Sequence, residues 1–133
     1  IFMCREFEIG IDDTNETVET RVSEIASDML VEYLQNPSLY IGCAQTGVPT
    51  FTHKWTGDDE IIDWSRGDIA VHNQIRALGA GRTKINGIDV KILSTRLNNG
   101  NLEILRIQPS GKNPMDWNSF VNGLRGAEIC IGK

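Results

Sequence analysis

Apolar and polar positions change period along this chain, and the changes divide it. In residues 2–9, Phe7 and Ile9 alternate with Glu6 and Glu8, which predicts a strand. Asp12-Asp13-Thr14 punctuates. Asp13 with Glu16 three residues on has the form of a capping box. Val18, Val22, Ile25, Met29 and Leu30, extended by Tyr33 and Leu34, then recur at helical spacing. An amphipathic helix is expected over residues 14–35, closed by Asn36-Pro37. Residues 37–60 carry no period and are broken by Gly42, Gly47, Pro49 and Gly57. A connector that long does not belong inside a compact domain, so the boundary falls here.

The second half is more regular. Ser65 with Asp68 repeats the capping signal. Ile69, His72, Ile75 and Leu78 share one face, giving a helix over 66–78 that Gly79 and Gly81 terminate. The period then becomes two. Residues 83–85 and 88–93 flank Asn86-Gly87, the strongest short hairpin signal. Asn98-Asn99-Gly100 makes a second turn before a strand over 101–108. There the apolar set switches from Leu102 and Ile104 to Leu105 and Ile107, so a bulge or sharp bend is expected. A loop over 109–114, a short helix begun by Asp116 and carrying Trp117, Phe120, Val121 and Leu124, and a last strand over 127–131 complete the pattern. The fold class is therefore α+β: a small OB-like antiparallel β-barrel with two short helices, preceded by a strand-helix appendage. The expected divisions are 1–36, a connector at 37–62, and a C-terminal domain at 63–133.

Composition narrows the class. With 40% apolar and 23% charged residues in 133, the chain is globular. No apolar run approaches a membrane span. The start at Ile1 and the few residues to Cys4 do not form a signal peptide and read as a strand cut from a longer chain, with a processed terminus as the alternative. Cys4, Cys43 and Cys130 are odd in number and far apart, which points to buried, reduced thiols in a cytoplasmic protein. The net charge of −5 conceals a split. Residues 1–62 hold three Lys/Arg and twelve Asp/Glu, whereas residues 63–133 hold ten and six, a net of +4. A basic half is mild evidence for a polyanionic partner, against the plainer reading of solvated surface charge.

Reaction chemistry is hard to place. The sequence has no nucleophile elbow, P-loop or dinucleotide fingerprint, and no His-x-x-x-His or Cys-x-x-Cys pair to hold a metal. His53 sits in the connector. His72 lies on the apolar stripe and reads as a satisfied, partly buried histidine. Asp58-Asp59-Glu60 reads as a solvated charge run. Trp64 and Trp117 read as core; Trp55, beside Lys54, is evenly balanced between packing and base stacking. Arg82, Lys84, Lys91, Arg96 and Arg106 fall on or beside predicted strands, and alternation sends Lys91 to solvent.

Four ordered stretches resemble the C-terminal part of methionyl-tRNA formyltransferases. Ile61-Ile62-Asp63-Trp64-Ser65 with His72-Asn73-Gln74-Ile75-Arg76-Ala77-Leu78 resembles the start of that family's C-terminal domain. Asn86-Gly87 with Val90-Lys91-Ile92 resembles its first hairpin. Residues 108–115 with Phe120-Val121-Asn122-Gly123 resemble its closing segment. Residues 9–34 resemble the last strand, Asp-Asp-Thr turn and final helix of its catalytic domain. The resemblance implies a parent enzyme that moves a formyl group from 10-formyltetrahydrofolate to the amino group of initiator methionyl-tRNA. It also implies that this stretch holds the tRNA. The family's catalytic Asn, His and Asp precede the region, so no catalytic, cofactor or metal residue is assigned and the stretch alone is expected to be inactive. The expected RNA-binding surface is Lys54, Arg66, Arg82, Lys84, Lys91, Arg106 and Lys112.

Two departures stand out: Phe51-Thr52-His53-Lys54 replaces the family's Tyr-Ala-Pro-Lys, and residues 78–82 are shorter than its Pro-rich loop. The expected partners are initiator methionyl-tRNA and the catalytic domain, and the apolar stripe of 1–36 is expected to pack on the barrel or on another copy; a membrane is not among them. The alternative is a sugar-nucleotide N-formyltransferase, in which this unit serves folding or dimerisation.

Overall fold

A computed structural model describes residues 1–132; Lys133, the last position of the expected C-terminal domain, lies outside the described residues. The chain forms two compact units, Ile1–Lys54 and Trp55–Lys133.

The first unit is built on α1 (Asn15–Gln35), followed by a 3-10 turn at Pro37–Leu39. The capping box exists, but one residue later than expected. Thr14 is the N-cap, its hydroxyl accepting from Thr17 N–H (3.3 Å) while the Thr14 N–H donates to Thr17 Oγ1 (2.9 Å). The Asp13 carboxylate is engaged elsewhere: it accepts from Gly10 N–H (2.7 Å), from the Thr17 hydroxyl (3.1 Å) and from both Arg21 terminal nitrogens (3.1 and 3.2 Å). The expected strand over 2–9 is not formed. A strand needs a backbone ladder, and among the described residues pairing here is confined to Ile1 and Cys43, whose N–H groups and carbonyls bond each other at 2.6 and 2.9 Å. Aromatic and cationic side chains hold the segment to α1 instead. Phe2 meets Tyr33 edge-on at 5.6 Å, and the Arg21 guanidinium lies 5.4 Å from the Phe7 ring centre. The helix stripe is only half-covered: Val18, Ile25, Met29 and Tyr33 are partly buried, whereas Leu30 and Leu34 are exposed.

The second unit carries the core. A 3-10 turn at Trp64–Arg66 leads through Gly67 into α2 (Asp68–Leu78). The helix therefore starts two residues late, and Ser65 with Asp68 makes no capping box. Asp63 caps the turn by accepting from Ser65 N–H, and the Asp68 carboxylate accepts from Leu102 N–H across the fold (2.7 Å). Gly79 ends α2 in the left-handed region (φ 77°), bonding back to Ile75. Strands β1 (Gly81–Ile85), β2 (Ile88–Asn98), β3 (Asn101–Pro109) and β4 (Met115–Asp116) form one antiparallel sheet in chain order. Both hairpins turn through paired positive φ values, Asn86 (49°) with Gly87 (75°) and Asn99 (51°) with Gly100 (83°), the type I′ geometry that matches strand twist. The register slips where the apolar phase switches. Ile92 opposes Ile107 and Thr95 opposes Ile104, so Leu93 and Leu105 are each skipped in the pairing. The predicted irregularity is thus present as a slip in register, and it occupies both strands. Helix α3 (Trp117–Gly123) follows β4; Asp116 stands at its N-cap position but makes no side-chain cap bond.

Ile62, Val71, Ile75, Ile85, Val90, Ile92, Ile107 and Phe120 fill the core, with Trp64 and Trp117 packed against it as expected. His72 is buried with them, and its Nδ1 is 2.8 Å from the Thr95 hydroxyl, the satisfied core histidine the stripe predicted. Gly81 is glycine for space. A Cβ there would stand 2.6 Å from Ile62 Cδ1 and 2.9 Å from Ile75 Cγ1.

The mixed α+β class stands as expected, and the sheet is open. Two single bridges, Ile61 with Arg82 and Ile85 with Ile131, meet β1 where a closed barrel would continue the ladder. The expected last strand over 127–131 is reduced to that second bridge. Asn86 already bends into its turn, so its side-chain amide replaces a ladder: Nδ2 donates to Glu128 O (2.9 Å) and Oδ1 accepts from Cys130 N–H (2.7 Å). The three cysteines are exposed, not buried. Cys4 and Cys43 lie on segments with little to cover them. Cys130 adjoins Ile131, which is the residue of that segment that packs on the core.

Candidate functional site

The second unit has a groove of ≈ 1100 Å³ where β1, the first half of β2 and the end of β3 face the chain entering from residue 57. The strand register builds its cationic wall. Arg82 pairs with Lys91 and Lys91 with Gln108, a row across three strands on the face opposite Val90 and Ile92. Lys84 lies one pair further along, opposite Asp89. The facing wall is held by α2: Gln74 Nε2 donates to the carbonyls of Asp59 (2.7 Å) and Ile61 (3.0 Å). Backbone bonds then tie the turn to β1, from Arg82 N–H to Glu60 O (2.6 Å) and from Ile62 N–H to Arg82 O (2.9 Å). Trp64 sits between the walls, its indole N–H donating to the Thr83 hydroxyl (3.0 Å). Gly132 approaches so closely that a Cβ there would lie 3.1 Å from Trp64 Cδ1.

Of the seven expected RNA-facing residues, the structure brings Arg82, Lys84 and Lys91 into this groove. Lys112 follows Ser110 and Gly111, which line it, and its carbonyl accepts from Gln108 Nε2 (3.0 Å). Arg66 closes the turn that presents Trp64 and Ser65 to the groove. Arg106 is outside the lining, two residues before Gln108 on β3 and therefore on the same strand face. Lys54 belongs to the other unit.

The electrostatics differ from the expected basic half. Lys91 Nζ is 3.5 Å from Glu60 Oε2, and Lys84 Nζ is 3.9 Å from Asp89 Oδ1. Asp63 accepts from the Ser65 hydroxyl (2.6 Å) and backbone N–H (3.0 Å), which holds its carboxyl below the ordinary range and keeps it anionic. The groove lining thus holds three cations and three carboxylates, and two of each are paired. The turn at 58–60 is structurally part of this unit, so Trp55–Lys133 carries ten Lys/Arg against nine Asp/Glu, a net of +1. The net of +4 came from cutting the chain after Ile62 and leaving that turn in the acidic half. Glu60 in particular is partly exposed but paired, since it reaches a lysine thirty-one positions away on β2. Arg82 differs from the two lysines: its Nη1 donates to the neutral carbonyl of Gly57 at 3.4 Å. Sequence reasoning missed Glu60, Asp89 and Gln74. The NG turn sets Asp89 opposite Lys84 and was the one signal that could have found any of them.

No family model matches the chain. It is similar along nearly its whole length to curated methionyl-tRNA formyltransferases, as the motifs indicated. The protein of that name from Leptospira interrogans is 27% identical, over 94% of this chain and 50% of its own length. That from Coprothermobacter proteolyticus is 26% identical, over 99% of this chain and 52% of its own. A shorter match, to the Thermosynechococcus vestitus protein of the same name, is 32% identical over 71% of this chain and 29% of that protein. The chain thus spans about half the length of the first of these relatives.

Proposed function

We propose that this chain is the tRNA-holding C-terminal portion of a methionyl-tRNA formyltransferase. In this reading an OB-like unit grips initiator methionyl-tRNA. The formyl donor, 10-formyltetrahydrofolate, and the reacting amine meet on the half of the enzyme that the relatives have beyond this stretch. The supporting observation is the Arg82–Lys91–Gln108 row, which sets cations and an amide along one wall of a groove beside an indole, within a chain similar to enzymes whose name specifies a tRNA. Alone, the chain transfers no formyl group. A cytoplasmic setting follows from such a role, and no helix among the described residues is long and apolar enough to cross a membrane.

Filter binding of the chain to initiator tRNA at low and moderate salt tests the reading. Phosphate contacts dominate such interfaces, so affinity should fall as salt rises. Salt-independent binding, or none at low salt, overturns it. One observation favours a second reading: the groove's charges balance, which suits a sugar-nucleotide N-formyltransferase whose C-terminal unit serves folding or dimerisation. Formylation of an amino-sugar nucleotide and not of methionyl-tRNA by the whole enzyme would establish that alternative.

A further inference from the structure

We infer that Glu60 is a specificity-limiting residue of the groove, an internal counter-anion that occupies Lys91 until a phosphate backbone displaces it. The inference rests on the nucleic-acid reading above. Its basis is the way Glu60 is held. A carboxylate on a mobile loop would be a screened surface charge of little consequence. Glu60 instead is fixed on both sides: Gln74 grips the carbonyls before and after it, and its own carbonyl accepts from Arg82 N–H at 2.6 Å. That backbone bond makes Glu60 a neighbour of the Arg82–Lys91 pair and aims its side chain along the cationic row, where Oε2 comes within 3.5 Å of Lys91 Nζ. Glu60 and Lys91 both line the groove, so a ligand that reaches Lys91 also meets the carboxylate.

The chemistry has a distinct thermodynamic consequence. A lysine that neutralises a phosphate ordinarily adds to counterion release, and each such contact steepens the dependence of log K on log salt by about 0.7 to 0.9. Lys91 already has its counter-anion built in. Exchanging Glu60 for a phosphate leaves a bare carboxylate that recruits a cation, so the contact adds almost nothing to the slope. Weak, poorly placed phosphates do not displace Glu60, whereas a backbone anchored elsewhere on the row does.

The test is binding of initiator tRNA and of poly(U) to the full chain and to Glu60→Gln, over a range of salt, with thermal melts to confirm folding. Glu60→Gln should tighten poly(U) by about two- to fivefold at low salt, the range for one exposed ion pair, and initiator tRNA by less, so that the preference for tRNA narrows. It should also steepen the salt slope by about 0.7 to 0.9. In a Lys91→Gln background the same change should leave the slope unaltered, because the lysine it guards is gone. A purely structural role for Glu60 would lower affinity or melting temperature and would not move the slope. An unchanged slope with retained tRNA binding overturns the inference and leaves the nucleic-acid reading standing. Failure of the native chain and of all three variants to bind either RNA overturns that reading, and this inference with it.

Discussion

Replacing Gly81 by alanine puts a methyl group where the core has no room for one. The new Cβ would lie 2.6 and 2.8 Å from Ile62 Cδ1 and Cγ1, and 2.9 Å from Ile75 Cγ1. Ile62 is 7% exposed and Ile75 1%, so neither side chain has solvent to swing into. Overpacking of this kind costs roughly 1–3 kcal/mol. Alanine also recovers about 0.5–1 kcal/mol of chain entropy relative to glycine in a strand. The backbone at Gly81 is not left-handed, so no φ penalty is added. A net destabilisation of about 1–2 kcal/mol is expected.

Urea unfolding followed by tryptophan fluorescence measures it cleanly, because Trp55, Trp64 and Trp117 all belong to the second unit. With a denaturant slope of roughly 1 kcal/mol per molar, the midpoint should fall by about 1–2 M. Ile62→Val removes the methyl at the shortest approach and by itself costs about 0.5–1.5 kcal/mol. Combined with Gly81→Ala it should cost clearly less than the sum of the two, since the residues share one space. An unshifted or raised midpoint for Gly81→Ala, or strict additivity in the pair, refutes the steric account.

Three further outcomes follow from local geometry. Asn86→Ala loses both amide bonds to the 128–130 segment and places a Cβ-bearing residue of poorer tolerance at φ 49°; hydrogen exchange at Cys130 and Gly132 should rise by about tenfold or more, a loss of at least about 1 kcal/mol. Thr95→Val removes the hydroxyl that meets buried His72 Nδ1, and the second unit should lose about 1–3 kcal/mol in the same urea experiment. Asp13 has its pKa lowered, first by the Gly10 N–H and then by Arg21. Because the folded value is the lower one, its contribution is complete above the ordinary carboxylate value of 3.8 and is lost as pH falls below it towards the folded value. Helix content of the first unit, read by circular dichroism, should decline in that window in the native chain and less in Asp13→Asn.

What could be read from the sequence was what is decided locally. The stripe of α2, the Asn86-Gly87 turn and the phase switch between Ile104 and Leu105 depend on residues a few positions apart, and each appears in the fold. Alternation also sent Lys91 outward correctly. The strand over 2–9 failed for the opposite reason. Its alternation is real, but a strand is completed by a partner, and no pattern within eight residues supplies one. The last strand failed similarly, since the side chain of Asn86 takes bonds that a ladder would have made. In the groove, the cations were legible and their anions were not. Glu60 pairs with Lys91 only because Gln74, on a different element, anchors the turn that carries it.

The same pairing bounds how strongly the groove can depend on salt. If all seven expected cations met phosphates, each adding about 0.7 to 0.9, log K would fall by about 5 to 6 per decade of salt. Lys91 and Lys84 have carboxylates at 3.5 and 3.9 Å and so exchange one anion for another. Five cations then remain, and the slope for tRNA should not exceed about 4.5 in magnitude. Lys54 lies in the other unit, so a chain shortened to Trp55–Lys133 should lose at most one further contact and show about 2.8 to 3.6. A measured slope clearly above about 4.5 for the full chain would mean that both pairs open without a cation taking the lysine's place at the freed carboxylate. In that case the balanced charge of the groove would have no bearing on which anions it accepts.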